Sequence, residues 1–130
     1  MALLENDDLA PIGVLEGISH RGRPWVDLAA QYGVTNPDPP WKVTLDATCD
    51  ILAAESCARI DGRVEASEPV LPALERRSEE DELAATVYAG VPFPERQLLA
   101  LAHSLIRRGL FDEEELARRM ERVHERLTSA

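Results

Sequence analysis

Two adjacent arginines, Arg76 and Arg77, are the residues of this sequence best suited to chemistry on an anion. A guanidinium keeps its charge at physiological pH and donates two parallel hydrogen bonds, so it recognises carboxylates and related oxyanions. The pair stands just before an acidic run in a chain whose formal net charge is -10. We consider two interpretations. Either the arginines offset the acidic run and the C-terminal dipole of a short helix, or one guanidinium contacts an anionic group on another chain.

The histidines and cysteines supply no complete catalytic or metal-binding set. His20, His103 and His124 lie far apart and form no HExxH arrangement, and we interpret the last two as surface or boundary residues of helices. If Cys49 and Cys57 share one helix, their eight-residue separation spans about 12 Å, which is too far for a disulfide. We therefore expect apolar-face thiols, no metal bound by this chain, and no enzyme complete in this chain alone.

Length and composition indicate one domain of helical type. The chain has 130 residues, of which 45% are apolar and 5% aromatic, and its apolar weight lies in Leu, Ala and Val, which favours helices. The acidic balance disfavours binding to nucleic acid and to anionic membranes. No run of about 18 apolar residues occurs, and the N-terminus lacks the features of a signal peptide. We expect a cytoplasmic protein.

Residues 1–40 are rich in Pro and Gly, and we predict that they form an extended arm that wraps a partner subunit. The motif TNPDPPW cannot be helical, because each proline bars the residue before it from the α region. The motif PWVDLAAQYG predicts one short helix from Pro24 to Tyr32, ended by Gly33. We expect the partner to bury the apolar side chains of the arm, which are Leu3, Leu4, Ile12, Val14, Leu15 and Trp25.

Residues 41–130 are predicted to form a small helical domain, which makes the fold class all-α. Apolar steps of three and four predict a helix over 42–60, and prolines then divide 66–83 into a short helix from Pro72, with the arginine pair in its last turn, and a further turn capped by Ser78. The C-terminal third predicts an antiparallel helical hairpin. Its first helix runs from Pro94 to Gly109, and its second is capped by Asp112 and carries an apolar stripe of Leu116, Met120, Val123 and Leu127.

The stretch VYAGVPFPERQLLALAHSLIRRGLFDEEELARRMERVHERL, preceded by the arginine pair, resembles the N-terminal half of the nitrile hydratase β subunit. It is most similar to the form in which that half is a separate polypeptide, as in the β subunit of thiocyanate hydrolase and in three-subunit nitrile hydratases such as the toyocamycin enzyme. The resemblance covers about residues 40–127. It rests on spaced positions that include the helix after Trp41, Gly62 and the VYAGVP turn.

The resemblance implies a subunit that closes an active site without holding its metal. A Co(III) or, alternatively, Fe(III) centre would lie in an α-type subunit, in a C-x-x-C-S-C loop with oxidised cysteines, which this sequence lacks. In the family, an arginine a fixed distance before the proline of a Pro-Tyr-Tyr-like element donates hydrogen bonds to those oxidised cysteines. Arg77 lies fifteen residues before Pro92, so the role passes to Arg77, with Arg76 as the second choice. Pro92, Phe93 and Arg96 are implied as substrate-pocket residues, but Phe93 stands where the family usually has a tyrosine, so no catalytic tyrosine role transfers.

The implied function is hydration of a nitrile to an amide by a heteromeric enzyme. Its implied partners are the metal-binding α-type subunit, a small subunit equivalent to the C-terminal half of the β subunit, and the nitrile substrate. Three alternatives stay open. One is a thiocyanate hydrolase β subunit; another is an activator, or metallochaperone, that delivers metal to the α-type subunit, although some activators end in basic tails unlike ERLTSA. The third is a free-standing helical interaction module, which predicts a compact monomer, whereas a subunit is expected to fold poorly alone.

Overall fold

The computed structural model describes the backbone of residues 6–129 and their side chains, except those of residues 6, 56–60 and 64–66. The all-α class is confirmed, because the described elements are helices apart from one β-hairpin between the third and fourth helices. A 3-10 turn, Asn6–Leu9, comes first. The other elements are α1 (Gly13–Ser19), α2 (Pro24–Ala30), α3 (Lys42–Ala53), β1 (Ser56–Ile60), β2 (Arg63–Ser67), α4 (Ala73–Ala85), α5 (Phe93–Arg107) and α6 (Glu113–Thr128).

The prediction of one helix over 42–60 is wrong in its last third. The helix α3 ends at Ala53, and β1 pairs antiparallel with β2 in a register that matches Ser56 with Ser67 and Ile60 with Arg63. The Asp61–Gly62 turn explains the difference: both residues have positive φ, 51° and 76°, as a two-residue hairpin turn requires. Cys57 therefore lies on a strand rather than on the helix of Cys49, and its side chain is outside the described residues.

The N-terminal segment contains more helix than the sequence predicts. Besides α2, it forms the 3-10 turn and α1, and α1 buries Leu15 completely in the core of its own chain. Ile12, just before α1, is buried as well, so these two apolar residues are not left for a partner. Leu28, Tyr32 and Val34 remain exposed. An arm that contacts a partner therefore stays a prediction for the end of this segment. Leu3 and Leu4 lie outside the described residues.

The long helix α5 holds the domain together because it contributes to two apolar clusters. One cluster joins it to α1 and α4, and the other joins it to α3. The first cluster consists of Ile12, Leu15, Leu83, Tyr88, Leu99 and Ala100. The second consists of Leu45, Cys49, Leu71, Leu101 and Leu105.

The helix α4 is continuous, so the two short pieces predicted around Ser78 are wrong. Its first intrahelical hydrogen bond runs from the backbone N–H of Arg76 to the carbonyl of Pro72, at 2.9 Å. Arg76 and Arg77 therefore lie near the N-terminal end of the helix. The interpretation that they offset a C-terminal dipole is also wrong, because a helix N-terminus is positive and repels cations.

The two C-terminal helices predicted from the sequence are present. Gly109, with φ of 77°, ends the first, and the Asp112 carboxylate accepts a hydrogen bond from the N–H of Glu115 at 2.7 Å to cap the second. The apolar stripe of α6 is only partly covered: Leu116 packs against the first cluster, whereas Val123 and Leu127 are 42% and 76% exposed. The first turn of α6 instead meets α1, where Glu113 accepts a hydrogen bond from the N–H of Val14 at 3.0 Å.

Candidate anion-binding site

The N-terminal ends of α2, α3 and α5 meet on one face of the molecule. Arg23, just before α2, forms an ion pair with Glu95 in the first turn of α5, with Nε and Oε2 3.0 Å apart. The indole of Trp25 packs edge-to-face against that of Trp41, with ring centres 6.0 Å apart. Lys42 begins α3 and reaches α5. These contacts set the relative positions of the three helix ends.

Lys42, the only lysine of the chain, is the centre of this face. Its Nζ donates hydrogen bonds to Asp46 Oδ1 at 2.6 Å and to Gln97 Oε1 at 3.1 Å. The Gln97 amide in turn donates to Asp46 Oδ1 at 3.2 Å and to Cys49 Sγ at 3.9 Å. The hydrogen bond from Lys42 holds the pKa of Asp46 below its usual value, and the Gln97 hydrogen bond and the charge of Arg76 act in the same direction.

Phe93 is in contact with two cations. Its ring is 53% exposed, the Nζ of Lys42 lies 5.6 Å from the ring centre, and the Cζ of Arg96 lies 5.7 Å from it. Both distances fit a cation–π contact. The structure thus brings together two of the predicted pocket residues, Phe93 and Arg96, and Pro92 lies exposed at the N-cap of α5 beside them. Their arrangement does not identify a substrate, and their pocket role stays a prediction.

The two arginines of α4 have different environments. Arg76 is partly buried, close enough to Asp46 for its charge to act on that carboxyl group, and its Nε–H is covered without an acceptor among the described residues. Arg77 is exposed, and its guanidinium makes no hydrogen bond or ion pair with the described side chains. It shares its helix face with Leu74, which is also exposed, because residues three apart are neighbours on a helix. Arg76 thus borders the face of Lys42, and Arg77 points to solvent.

The sequence pattern did not identify Lys42, Asp46 and Gln97 as site residues. The signal for Lys42 was present, because a lysine at the first position of a predicted helix is unfavourable for the helix dipole. Lys42 and Asp46 are neighbours at i,i+4 on α3, a spacing that the sequence shows. Gln97 joins them because α3 packs across α5, and no spacing in the sequence reports that contact. Glu95 and Arg23, which meet across seventy-two positions, were missed for the same reason.

His103 is a core residue, so its interpretation as a surface or boundary histidine is wrong. It is fully buried, and its Nε2 lies 2.5 Å from the carbonyl oxygen of Asp8. Since a carbonyl only accepts, Nε2 carries the proton and Nδ1 accepts a hydrogen bond from the Tyr88 hydroxyl at 2.7 Å. Burial lowers the pKa of His103 and raises that of Tyr88. The Tyr88 hydroxyl is therefore engaged in the core.

A second buried polar contact joins α4 to the end of α5. The Glu79 carboxylate, 2% exposed, accepts two parallel hydrogen bonds from the Arg108 guanidinium at 2.5 and 2.6 Å. The Glu79 hydrogen bonds raise the pKa of Arg108. This pair is satisfied internally, unlike Arg76 and Arg77, and it serves the fold rather than a ligand.

Other surface features bear on binding. A groove of about 710 Å³ lies away from the cation face, between α1 and α6, and is lined by Val14, Met120, Val123 and Leu127 among others. Among the described side chains, no group of three or more His, Cys, Asp or Glu is arranged to hold a metal ion. Of the helices in residues 6–129, none is both long and apolar enough to span a bilayer.

In comparisons with known proteins, no family model, curated protein or solved structure matches the chain.

Proposed function

We propose that this chain is the non-metal β-type subunit of a heteromeric nitrile hydratase, in which it closes the active site over a metal centre held by an α-type subunit. The proposal rests on the resemblance of residues 40–127 to the nitrile hydratase β subunit. The observation that carries it is the state of Arg76 and Arg77, two neighbouring guanidinium groups. Neither forms an ion pair with a carboxylate in the described part of this acidic chain, although the charge of Arg76 acts on Asp46.

The position of the pair gives this observation its weight. Cations near a helix N-terminus are disfavoured by the dipole, and acidic residues follow immediately at 79–82, yet neither guanidinium pairs with them. Glu79 is taken by Arg108, and Glu80 forms no ion pair with Arg76 one turn away. A local arrangement that gains nothing for the fold is typical of a functional site. An anionic group from outside the chain would supply the missing acceptors.

Oxidised cysteine ligands of a partner subunit fit this requirement. Sulfenate and sulfinate oxygens are anionic acceptors, and a charge-assisted hydrogen bond to such a group contributes about 1.5–3 kcal/mol. Arg77 is exposed and can reach across a subunit boundary, and Arg76 behind it adds positive potential. Groups that orient the ligands of a metal control its affinity and activity even though they do not bind it. The partner's metal would polarise the nitrile or activate water, with cobalt as the first expectation and iron as the alternative.

The remaining residues have a place in the same scheme. Phe93 and Pro92 offer an exposed apolar wall for a nitrile, and Arg96 stacks beside it. Exposed apolar side chains on Leu74, Leu127 and the end of the N-terminal segment offer surfaces for the α-type subunit and for the second small subunit.

The test is to co-express the chain with its neighbouring reading frames and purify the complex. We expect this chain to co-purify with a metal-containing subunit and the complex to convert a nitrile to its amide. Arg77→Lys should leave assembly and metal content intact and lower turnover about ten- to a hundredfold, because lysine loses the two-pronged donor. Arg118→Lys, an exposed position on α6, is the matched control and should change nothing.

Each other outcome has a defined meaning. Unchanged turnover in Arg77→Lys rejects the role of Arg77, and the same variant at Arg76 then tests the second choice. Turnover of thiocyanate in place of nitriles would identify a thiocyanate hydrolase subunit. Absence of this chain from an active purified enzyme would point to the activator, and a compact monomer that binds no other subunit would point to a free-standing module.

A further inference from the structure

We propose that the face formed by Lys42, Arg96 and Phe93 binds a carboxylate that is joined to an apolar group. The proposal goes beyond the proposed function, because it concerns this chain alone and needs no metal-bearing subunit. It uses side chains from two helices that the sequence keeps far apart and the fold brings to one ring.

This face carries an excess of positive charge. Lys42 and Arg96 flank Phe93, and Arg76 acts on the same face through its effect on Asp46. Two nearby carboxylates are already paired. Asp46 forms an ion pair with Lys42, and Glu95 forms one with Arg23. In a chain of net charge -10, this leaves a local positive excess that attracts an anion.

The cations also lie near the N-terminal ends of their helices. Lys42 is the first residue of α3 and Arg96 lies in the first turns of α5, and neither N-cap residue, Trp41 or Pro92, gives a side-chain cap. The positive ends of both helices thus face the same region as the cations. Helix dipole and cation repel each other there, so a bound carboxylate would be stabilised by both. The hydrogen bonds of Lys42 to Asp46 and Gln97 offset part of this repulsion. At Arg96 the Nε–H is covered and has no acceptor among the described residues, so its share is not offset in this way.

The exposed ring of Phe93 indicates which kind of carboxylate fits this face. Phe93 is half exposed at the centre of the face, so an apolar group attached to the anion would cover its ring while the anion meets the two cations. Trp41, which precedes Lys42 in the chain, packs edge-to-face against Trp25. A bare anion would leave this aromatic surface in water. An aryl carboxylate, or an acidic residue next to an aromatic one in a partner chain, uses both features.

The chain carries its own reporter for a test. Its two tryptophans, Trp25 and Trp41, lie at this face, so their fluorescence should respond to binding. We would titrate the full chain with benzoate, with acetate, with the neutral isostere benzamide, and with a capped Glu-Phe-Glu peptide, and repeat the benzoate titration by calorimetry. We expect saturable benzoate binding in the millimolar range, weaker binding of acetate, and none of benzamide.

Variants then place the site. Lys42→Met and Arg96→Met should each raise the Kd about tenfold, whereas Lys42→Arg and Arg96→Lys, which keep the charge, should retain most of the affinity. Arg122→Met, which removes an exposed cation from α6, is the control for net charge and should have no effect. Circular dichroism of each variant confirms that the fold is kept.

The benzoate and peptide titrations also distinguish the two sources of the carboxylate. Benzoate binding that both Met variants lose supports a site for a free small acid. Saturation by the peptide alone, with the same loss in the variants, supports an acidic–aromatic segment of a partner chain. The proposal is overturned if neither probe saturates, if benzamide binds as well as benzoate, or if Lys42→Met and Arg96→Met bind like the unaltered chain.

Discussion

The buried pair of Glu79 and Arg108 allows a prediction about stability with a definite asymmetry. The two ends of the pair differ in their access to water: the Glu79 side chain is 2% exposed and the Arg108 side chain 25%. We compare Glu79→Met, Arg108→Met and the double variant. Removal of either partner strands the other, and the consequence depends on whether the stranded charge can reach water.

The expected magnitudes follow from this difference. Arg108→Met leaves a carboxylate without water or donors, and breaking a buried pair in this way costs about 3–5 kcal/mol. Glu79→Met leaves a guanidinium that can turn toward solvent and that sits at the C-cap of α5, where the dipole favours a cation, so we expect a loss of about 1–3 kcal/mol. The double variant replaces both charges by apolar groups and should be less destabilised than Arg108→Met alone.

The assay is urea unfolding followed by far-UV circular dichroism, with the three variants and the unaltered chain forming a double-mutant cycle. Equal losses in the two single variants would refute the argument from exposure. Additive losses in the double variant would refute the coupling itself and show that the two hydrogen bonds contribute nothing beyond the individual side chains.

Three further predictions concern the core and the helix ends. Leu15→Ala should cost about 2–5 kcal/mol in urea unfolding, because Leu15 is fully buried, and a loss below about 1 kcal/mol would mean that α1 is not part of the core. Asp112→Ala should cost about 1 kcal/mol, because the Asp112 side chain caps α6. Glu114→Ala, a control in the first turn of the same helix, should cost much less. The lowered pKa of His103 means that the unfolded chain binds more protons, so its contribution to stability should be complete above the ordinary pKa of 6.5, fall as the pH drops below it, and level off under the folded-state pKa. This slope should vanish in His103→Gln, and its persistence there would assign it to other groups; Asp8, Arg107 and Glu79 are the charged neighbours of the imidazole.

The site shows where reasoning from sequence stopped. The arginine pair, Phe93 and Arg96 were found because they stand in a segment with a recognisable pattern. The sequence predicts the arginine pair in the last turn of a short helix, whereas both residues lie near the start of α4. The reason is that a continuous helix follows Pro72, and the acidic residues after Ser78 extend it rather than start a new turn. The hairpin turn at Asp61–Gly62 was read as the end of a helix, because a glycine suits both.

The sequence by itself determined α5 and α6, the turn between them and the cap at Asp112, because periodicity and capping act over one or two helical turns. It also determined the excess of negative charge against which any cation cluster must be judged. Only the tertiary structure decided that Lys42 and Arg96 meet over Phe93, that His103 is buried against Asp8, and that the stripe of α6 stays partly uncovered. Burial and pairing of this kind depend on contacts between residues distant in the chain, and those contacts follow from how the helices pack.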